Sequence, residues 1–156
     1  MRLDSTNGHR FELRVIGYEF PNLEHDRYGY DINWLLVRLT LTAAKSRWTL
    51  TDPCLLTWEL IALQDWLASI AAGDVKQRRI TFIEPTLSLT ALQLKPSIVI
   101  RLTLTVDKLV PSAFDHNPEV HHLNLHATTE ELRGAVAELS RMAASFPERP
   151  ESAKLA

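Results

Sequence analysis

One long helical stripe stands between two groups of strands, and that order narrows the possible folds more than any other feature of the chain. In the stretch TDPCLLTWELIALQDWLASIAAG, residues 51–73, Leu56, Leu60, Leu63, Leu67 and Ile70 recur at spacings of three and four. Such spacing lines one face of a helix, with Glu59 and Trp66 at the edges of the stripe. Asp52-Pro53 and Thr57 both read as start signals, because proline fits a first turn and Asp or Thr accepts an otherwise unpaired N–H. Gly73 reads as the stop, since glycine takes the left-handed conformation after a last turn without steric cost.

Strand patterns lie on both sides. Phe11, Leu13 and Val15 alternate with Glu12 and Arg14, a half-buried strand that Gly17 ends or bulges. Residues 34–42 put Leu35, Val37, Leu39 and Leu41 on one face, and residues 47–51 pair back onto them through a short hairpin. After the helix and a basic turn, residues 80–84 form a short strand closed by Pro85, and residues 86–94 form another. Ile98, Ile100, Leu102, Leu104 and Val106 alternate cleanly with Arg101, Thr103 and Thr105. A one-residue slip there would expose all five, at about 1.5–3 kcal/mol for each aliphatic side chain. A turn-rich loop at 111–119 leads to a last strand over 120–126. Thr128 with Glu131 then forms a capping box that opens a second helix, whose stripe is Leu132, Ala135, Val136, Leu139 and Ala143. Pro147 stops it, and residues 147–156 are expected to fray.

The expectation is an α+β fold: a mostly antiparallel, curved or split sheet of six to seven strands with two helices, one central and one C-terminal. At 156 residues the chain fits a single domain, placed at residues 1–146. Net charge is −2, which argues against nucleic acid as the direct partner. A lone cysteine, Cys54, excludes an internal disulfide framework and suits a reducing compartment. The opening residues are polar, with no signal-peptide core, and no apolar run approaches the ~20 residues of a membrane helix. The expected address is the cytoplasm, with no membrane partner.

Four histidines, His116, His121, His122 and His126, fall within eleven positions. On a strand His121 and His122 point to opposite faces, and His122 and His126 lie about 13 Å apart. A zinc ion needs its nitrogen ligands at ~2.0–2.1 Å, so these are expected to be solvent-facing strand histidines and no metal site. Cys54 is expected to be buried and inert among Pro53, Leu55 and Leu56, with no base beside it. The chain has no G-x-S-x-G, P-loop, G-x-G-x-x-G, C-x-x-C or H-E-x-x-H. No catalytic residue and no cofactor are therefore expected.

The segment 18–33 is long for a structureless connection in a compact domain, and such loops are often functional. Tyr18, Tyr28 and Tyr30 are interleaved there with Glu19, Glu24, Asp26 and Asp31, against one base, Arg27. Acid plus tyrosine suits a surface that meets a basic protein: the charges speed encounter and the aromatics anchor the contact. The candidate partner-binding residues are Glu24, Asp26, Tyr28, Tyr30, Asp31 and Glu84. Two other classes remain open. A small hydrolase or ligand-binding domain could use this loop with Glu84, which requires a deep pocket. An oligomeric structural module is the other; the expected state is a monomer or homodimer.

Four segments occur in order: Ile16-Gly17-Tyr18-Glu19-Phe20-Pro21; Tyr30-Asp31-Ile32-Asn33-Trp34-Leu35; Asp52-Pro53-Cys54-Leu55-Leu56-Thr57-Trp58-Glu59; and Phe82-Ile83-Glu84-Pro85-Thr86-Leu87. Together they resemble the small immunity proteins of the WapI family, over the chain from Phe11 to the end of the second helix. The resemblance implies a cytoplasmic protein, encoded beside a polymorphic contact-dependent or cell-wall-associated toxin, that binds the toxin's C-terminal domain and blocks it. Some such toxins are nucleases, which suits a partner with an acidic surface. No catalytic residue carries over. The matched residues also have structural readings: Gly17 at a bulge, Asp52 at a cap, Trp34, Trp58 and Phe82 in the core, and Pro85 at a strand end.

Overall fold

The computed structural model describes residues 1–74, 76–105 and 120–150. In chain order the elements are β1 (Arg2–Asp4), β2 (Arg10–Tyr18), β3 (Trp34–Ala43), β4 (Ser46–Leu56), α1 (Thr57–Ala72), β5 (Arg79–Thr81), β6 (Leu87–Gln93), β7 (Ile98–Thr105), β8 (Val120–Ala127) and α2 (Thr129–Ser145). The α+β class, the antiparallel pairing and the central and C-terminal helices agree with the sequence patterns. The strand count does not: among the described residues there are eight, in two four-stranded meanders ordered β1-β2-β3-β4 and β5-β6-β7-β8. The strand missing from the sequence reading is β1. Its three residues include one apolar side chain, Leu3, too few to show a period, yet they pair with Glu12, Phe11 and Arg10 of β2.

A second correction concerns the start of α1. The chain stays extended through Asp52 and Pro53 to Leu56, and the helix begins at Thr57. Asp52 pairs with Val37, and Pro53 with Leu36, so Asp52 is a strand residue and not a cap. The register skips Cys54, and β4 is the edge of its sheet; a bulge on an edge strand is where a ladder tolerates proline. Cross-strand pairing thus outweighs the local start signal. Gly73 does end α1, at φ 74°, with its N–H on the Ile70 carbonyl and that of Asp74 on the Ser69 carbonyl. Gly17 lies at a bulge, where the register with β3 skips Ile16. At α2 the capping box closes both ways: Glu131 N–H donates to Thr128 Oγ1 at 3.1 Å, and Thr128 N–H to Glu131 Oε2 at 2.7 Å.

One hydrophobic cluster joins both sheets and both helices, with Leu13 and Leu39, Leu63 and Leu67, Leu89 and Leu102, and Leu139 all buried in it. At one side the sheets meet through side chains: Asn7 Nδ2 donates to the Asn124 carbonyl at 3.2 Å, and the Ser5 hydroxyl accepts the His126 N–H at 2.8 Å. At the other side α1 carries the chain from β4 to β5.

Alternation along β8 turns His121 inward with Leu123, Leu125 and Ala127, so His121 is buried and not solvent-facing as expected. His122 is half-buried and meets the Thr103 hydroxyl at 3.0 Å. His116, Val106 and the 111–119 loop lie outside the described residues. Phe82 is in the core, whereas Trp34 and Trp58 are only half-buried. Among the described residues no helix is long and apolar enough to cross a membrane.

Candidate functional site

The connection between β2 and β3 has no strand of its own and holds a single short turn of 3-10 helix, Asp31–Asn33. Its conformation is fixed by a few named groups. Asp26 accepts from the backbone N–H of Tyr28 at 3.2 Å and of Asp31 at 2.6 Å, closing the loop on itself as short acidic side chains do in turns. Asn33, 1% exposed, joins three parts of the chain. Its Nδ2 donates to the Gly29 and Arg149 carbonyls at 2.7 and 2.9 Å. Its Oδ1 accepts the Arg149 N–H at 2.8 Å and the Thr57 hydroxyl at 3.2 Å. All four of its hydrogen-bonding positions are filled, as burial of an amide demands.

Thr57 opens α1, and next to it the aromatic side chains gather. Tyr30 stands edge-on to Trp58, with ring centroids 5.4 Å apart. Tyr28, Gly29, Tyr30, Asn33, Trp58, Glu148 and Arg149 line a shallow cavity of about 310 Å³. A third segment arrives through Glu59. That carboxylate, 8% exposed, accepts the Leu56 N–H at 3.0 Å and the Ile83 N–H at 2.7 Å. It therefore ties the β5–β6 connection to the first turn of α1. Ile83 (57% exposed) and, one helical turn on from Trp58, Ile61 (44%) stand in solvent, as do Tyr28 (62%) and Tyr30 (44%). Large apolar groups exposed together in this way mark contact surfaces more often than chance side chains do.

The same segments carry carboxylates. Among the described residues no Lys or Arg nitrogen lies within ion-pair distance of Glu19, Asp26, Asp31, Asp52 or Glu84. Burial, and then the negative charges of Asp31 and Asp52, raise the Glu19 carboxyl above its ordinary value. Burial, and then Asp52, Glu59 and Glu84, push the Cys54 thiol up to about 12. Cys54 is thus buried and un-ionised, in keeping with the inert thiol expected. Asp31 and Glu84, far apart in sequence, both come within electrostatic range of the region around Asp52.

The six sequence-selected residues fare unequally. Tyr28, Tyr30 and Asp31 sit together in the loop, with Tyr28 and Tyr30 on the cavity wall. Glu84 follows Ile83 on the segment that Glu59 draws in. Glu24 is exposed, 3.9 Å from His25. Asp26 is turned to an internal task. The cavity at the loop is lined by Glu148 and by none of Asp26, Asp31 and Glu84, so it does not join Glu84 to a loop aspartate as the hydrolase reading required. Sequence reasoning missed Trp58, Asn33 and Arg149. Trp58 lies off the apolar stripe of α1, between Leu56 and Leu60, which was a usable signal. Nothing local marks Arg149. Among the described residues no group of three His, Cys, Asp or Glu side chains is placed to hold a metal ion.

A family model, that of the immunity protein WapI-like family, matches residues 2–147. The chain belongs to that family. No curated protein matches it. Membership in the WapI-like family indicates an immunity protein, directed against a toxin. In this immunity-family chain, the matched region ends two residues short of Arg149, the residue that braces the loop from the far end of the fold.

Proposed function

We propose that this chain is a non-enzymatic immunity protein that binds a cognate toxin domain and blocks it by covering its working surface. The contact face is the end of the molecule formed by Tyr28, Tyr30, Trp58 and Ile83, with Glu19, Glu24, Asp31, Asp52 and Glu84 around it. The observation that carries this reading is the occurrence of exposed aromatic and aliphatic side chains with carboxylates, Glu19, Asp31, Asp52 and Glu84, that form no ion pair with a Lys or Arg among the described residues. Unpaired charge at a rim steers an oppositely charged protein, and desolvated aromatics then supply the affinity. The toxin face is accordingly basic, as the substrate-binding surface of a nuclease is. Asp26 contributes through the loop shape it sets. The protein acts inside the cell that makes the toxin, and needs no cofactor to do so.

Co-expression with the toxin domain encoded beside this chain, followed by affinity capture and a growth assay, tests the reading. Capture and rescue are expected. The on-rate should fall steeply between low and physiological salt, because the steering charges are screened over about 8–10 Å. Absence of both binding and rescue would remove the proposal. Binding that survives charge reversal at Glu24, Asp31 and Glu84 together would move the interface elsewhere.

A further inference from the structure

We infer that Arg149 is the positioning residue of the partner-binding loop: a strap, reaching from beyond α2, that holds residues 19–33 in their binding shape before a partner arrives. The inference rests on the reading of that loop as the contact face.

The geometry is specific. The Arg149 guanidinium donates to four loop carbonyls: Nε to Ile32, Nη1 to Pro21 at 3.3 Å and Leu23 at 3.2 Å, and Nη2 to Phe20 at 3.0 Å. Its backbone N–H and carbonyl engage the Asn33 amide. Its Cζ lies 4.2 Å from the centre of the Tyr18 ring, and the Tyr18 hydroxyl donates to the Pro147 carbonyl. Tyr18 also meets Phe146 edge-on at 5.7 Å. Thus both ends of the loop and its first turn converge on one side chain.

Apart from the Asn33 bonds to Gly29 and Thr57, the Tyr30–Trp58 contact and buried Ile32, the loop has little else to hold it. Its own backbone bonds here are Glu19 N–H to Trp34, Leu23 N–H to Phe20 and Asn33 N–H to Tyr30, besides the two that Asp26 accepts. Ordering a residue's backbone costs about 1–2 kcal/mol, and the loop buries few large apolar side chains to offset that. A planar cation with five fixed donors can gather several carbonyls at once, which an ammonium on a flexible stem does not do. The choice of partners matters as well. In a loop that carries Glu19, Glu24, Asp26 and Asp31, Arg149 bonds to carbonyls and forms an ion pair with none of these carboxylates. It orders an acidic loop without cancelling the charge that would steer a basic partner. A loop already in its bound conformation avoids the ordering cost at the moment of association.

The test begins without any partner. Trypsin cleavage at Arg27 and hydrogen exchange of residues 19–33 report opening of the loop in the free, full-length protein. Arg149→Ala should speed both by about tenfold or more, while the exchange of β3 and α1 amides stays near the wild-type level. Arg149→Lys keeps the charge but should restore less than half of the protection. Tyr18→Phe, which keeps the ring under the guanidinium and loses the bond to Pro147, should open the loop only about two- to threefold; it serves as the mild variant if Arg149→Ala does not fold. The toxin domain encoded beside the chain is then the binding probe. Its Kd should rise by the same factor by which the closed loop is depopulated, chiefly through a slower on-rate. Unchanged cleavage and exchange in Arg149→Ala would overturn the strap. A loop that is mostly open in Arg149→Ala with unaltered toxin affinity would overturn the positioning role. Failure of the wild-type protein to bind that domain is a separate result: it strikes the proposed function, and the cleavage data still decide whether Arg149 holds the loop.

Discussion

Tyr30 and Trp58 meet at 85° between ring planes, one from the β2–β3 loop and the other from the first turn of α1. Neither ring is in the core, so the contact joins two elements at the surface and leaves aromatic area facing solvent. If this is the anchor of a protein contact, Tyr30→Ala and Trp58→Ala should each weaken toxin capture by about 2 kcal/mol or more, a loss of roughly thirtyfold. Leu92→Ala, at an exposed site on β6, serves as the control and should leave affinity unchanged. Titration calorimetry on the three variants gives the comparison, and equal affinities throughout would remove the aromatic pair from the interface.

Asn33 is the buried joint between that loop, the segment after α2 and the start of α1. Asn33→Ala strands the Gly29 and Arg149 carbonyls, the Arg149 N–H and the Thr57 hydroxyl, each without its partner. The expected loss is on the order of 2–3 kcal/mol, since an unsatisfied buried group costs about 1–3 kcal/mol and some of these can reach water. Urea denaturation measures it: the midpoint should drop with little change in slope, because the same surface is exposed on unfolding.

The core was legible in the sequence where the apolar period was unbroken. Ile100, Leu102 and Leu104 alternate with Arg101 and Thr103, and that strand sits in the register its pattern required. The start of α1 was misplaced because Asp52-Pro53 satisfies a local rule that the β3–β4 ladder overrides at a distance. Trp58, expected in the core with the other matched aromatics, is half-buried because it lies off the stripe that α1 buries. The candidate face was half legible: tyrosine and acid drew attention to the loop. Yet its shape depends on Asn33 and Arg149, 116 positions apart, and no spacing rule connects residues that meet only in the fold. Residues 147–150, grouped with a fraying tail on composition, are bonded to the loop through that pair.

Glu19 gives the face a pH signature. Its carboxyl is raised by burial and by Asp31 and Asp52, so the folded protein holds the neutral form better than the unfolded chain does. The ionised form therefore costs stability above the folded value, and the cost disappears once the pH is below the unfolded value. Glu19→Gln should stabilise the protein at pH 7 by on the order of a few tenths of a kcal/mol, the site being largely open to solvent. Near pH 4 and below the two proteins should converge. Paired urea curves at the two pH values check the sign; an advantage for the variant that grows as pH falls would contradict the assignment.

Glu59 is the structural counterpart of that surface charge. Buried on α1, it has no cationic partner among the described residues, and its two oxygens are taken by the N–H groups of Leu56 and Ile83. One bond satisfies a free donor at the helix start, where negative charge is also favoured by the helix dipole. The other fixes the approach of the β5–β6 connection. Glu59→Gln keeps one acceptor and sets an NH2 group against a backbone N–H, so it should be nearly as harmful as Glu59→Ala. Each should cost about 1.5–3 kcal/mol, the range for a hydrogen bond to a charged group. The second variant test reads location: hydrogen exchange should quicken at Ile83 and in the first turn of α1, while the centre of β3 keeps its protection. Exposing Cys54 supplies an independent measure, since its thiol at about 12 is protonated and sealed in the native protein. Labelling by a thiol reagent at pH 8 should be slow in the wild type and several-fold faster in Glu59→Ala, because loosening the first turn of α1 opens the end of β4 beside it.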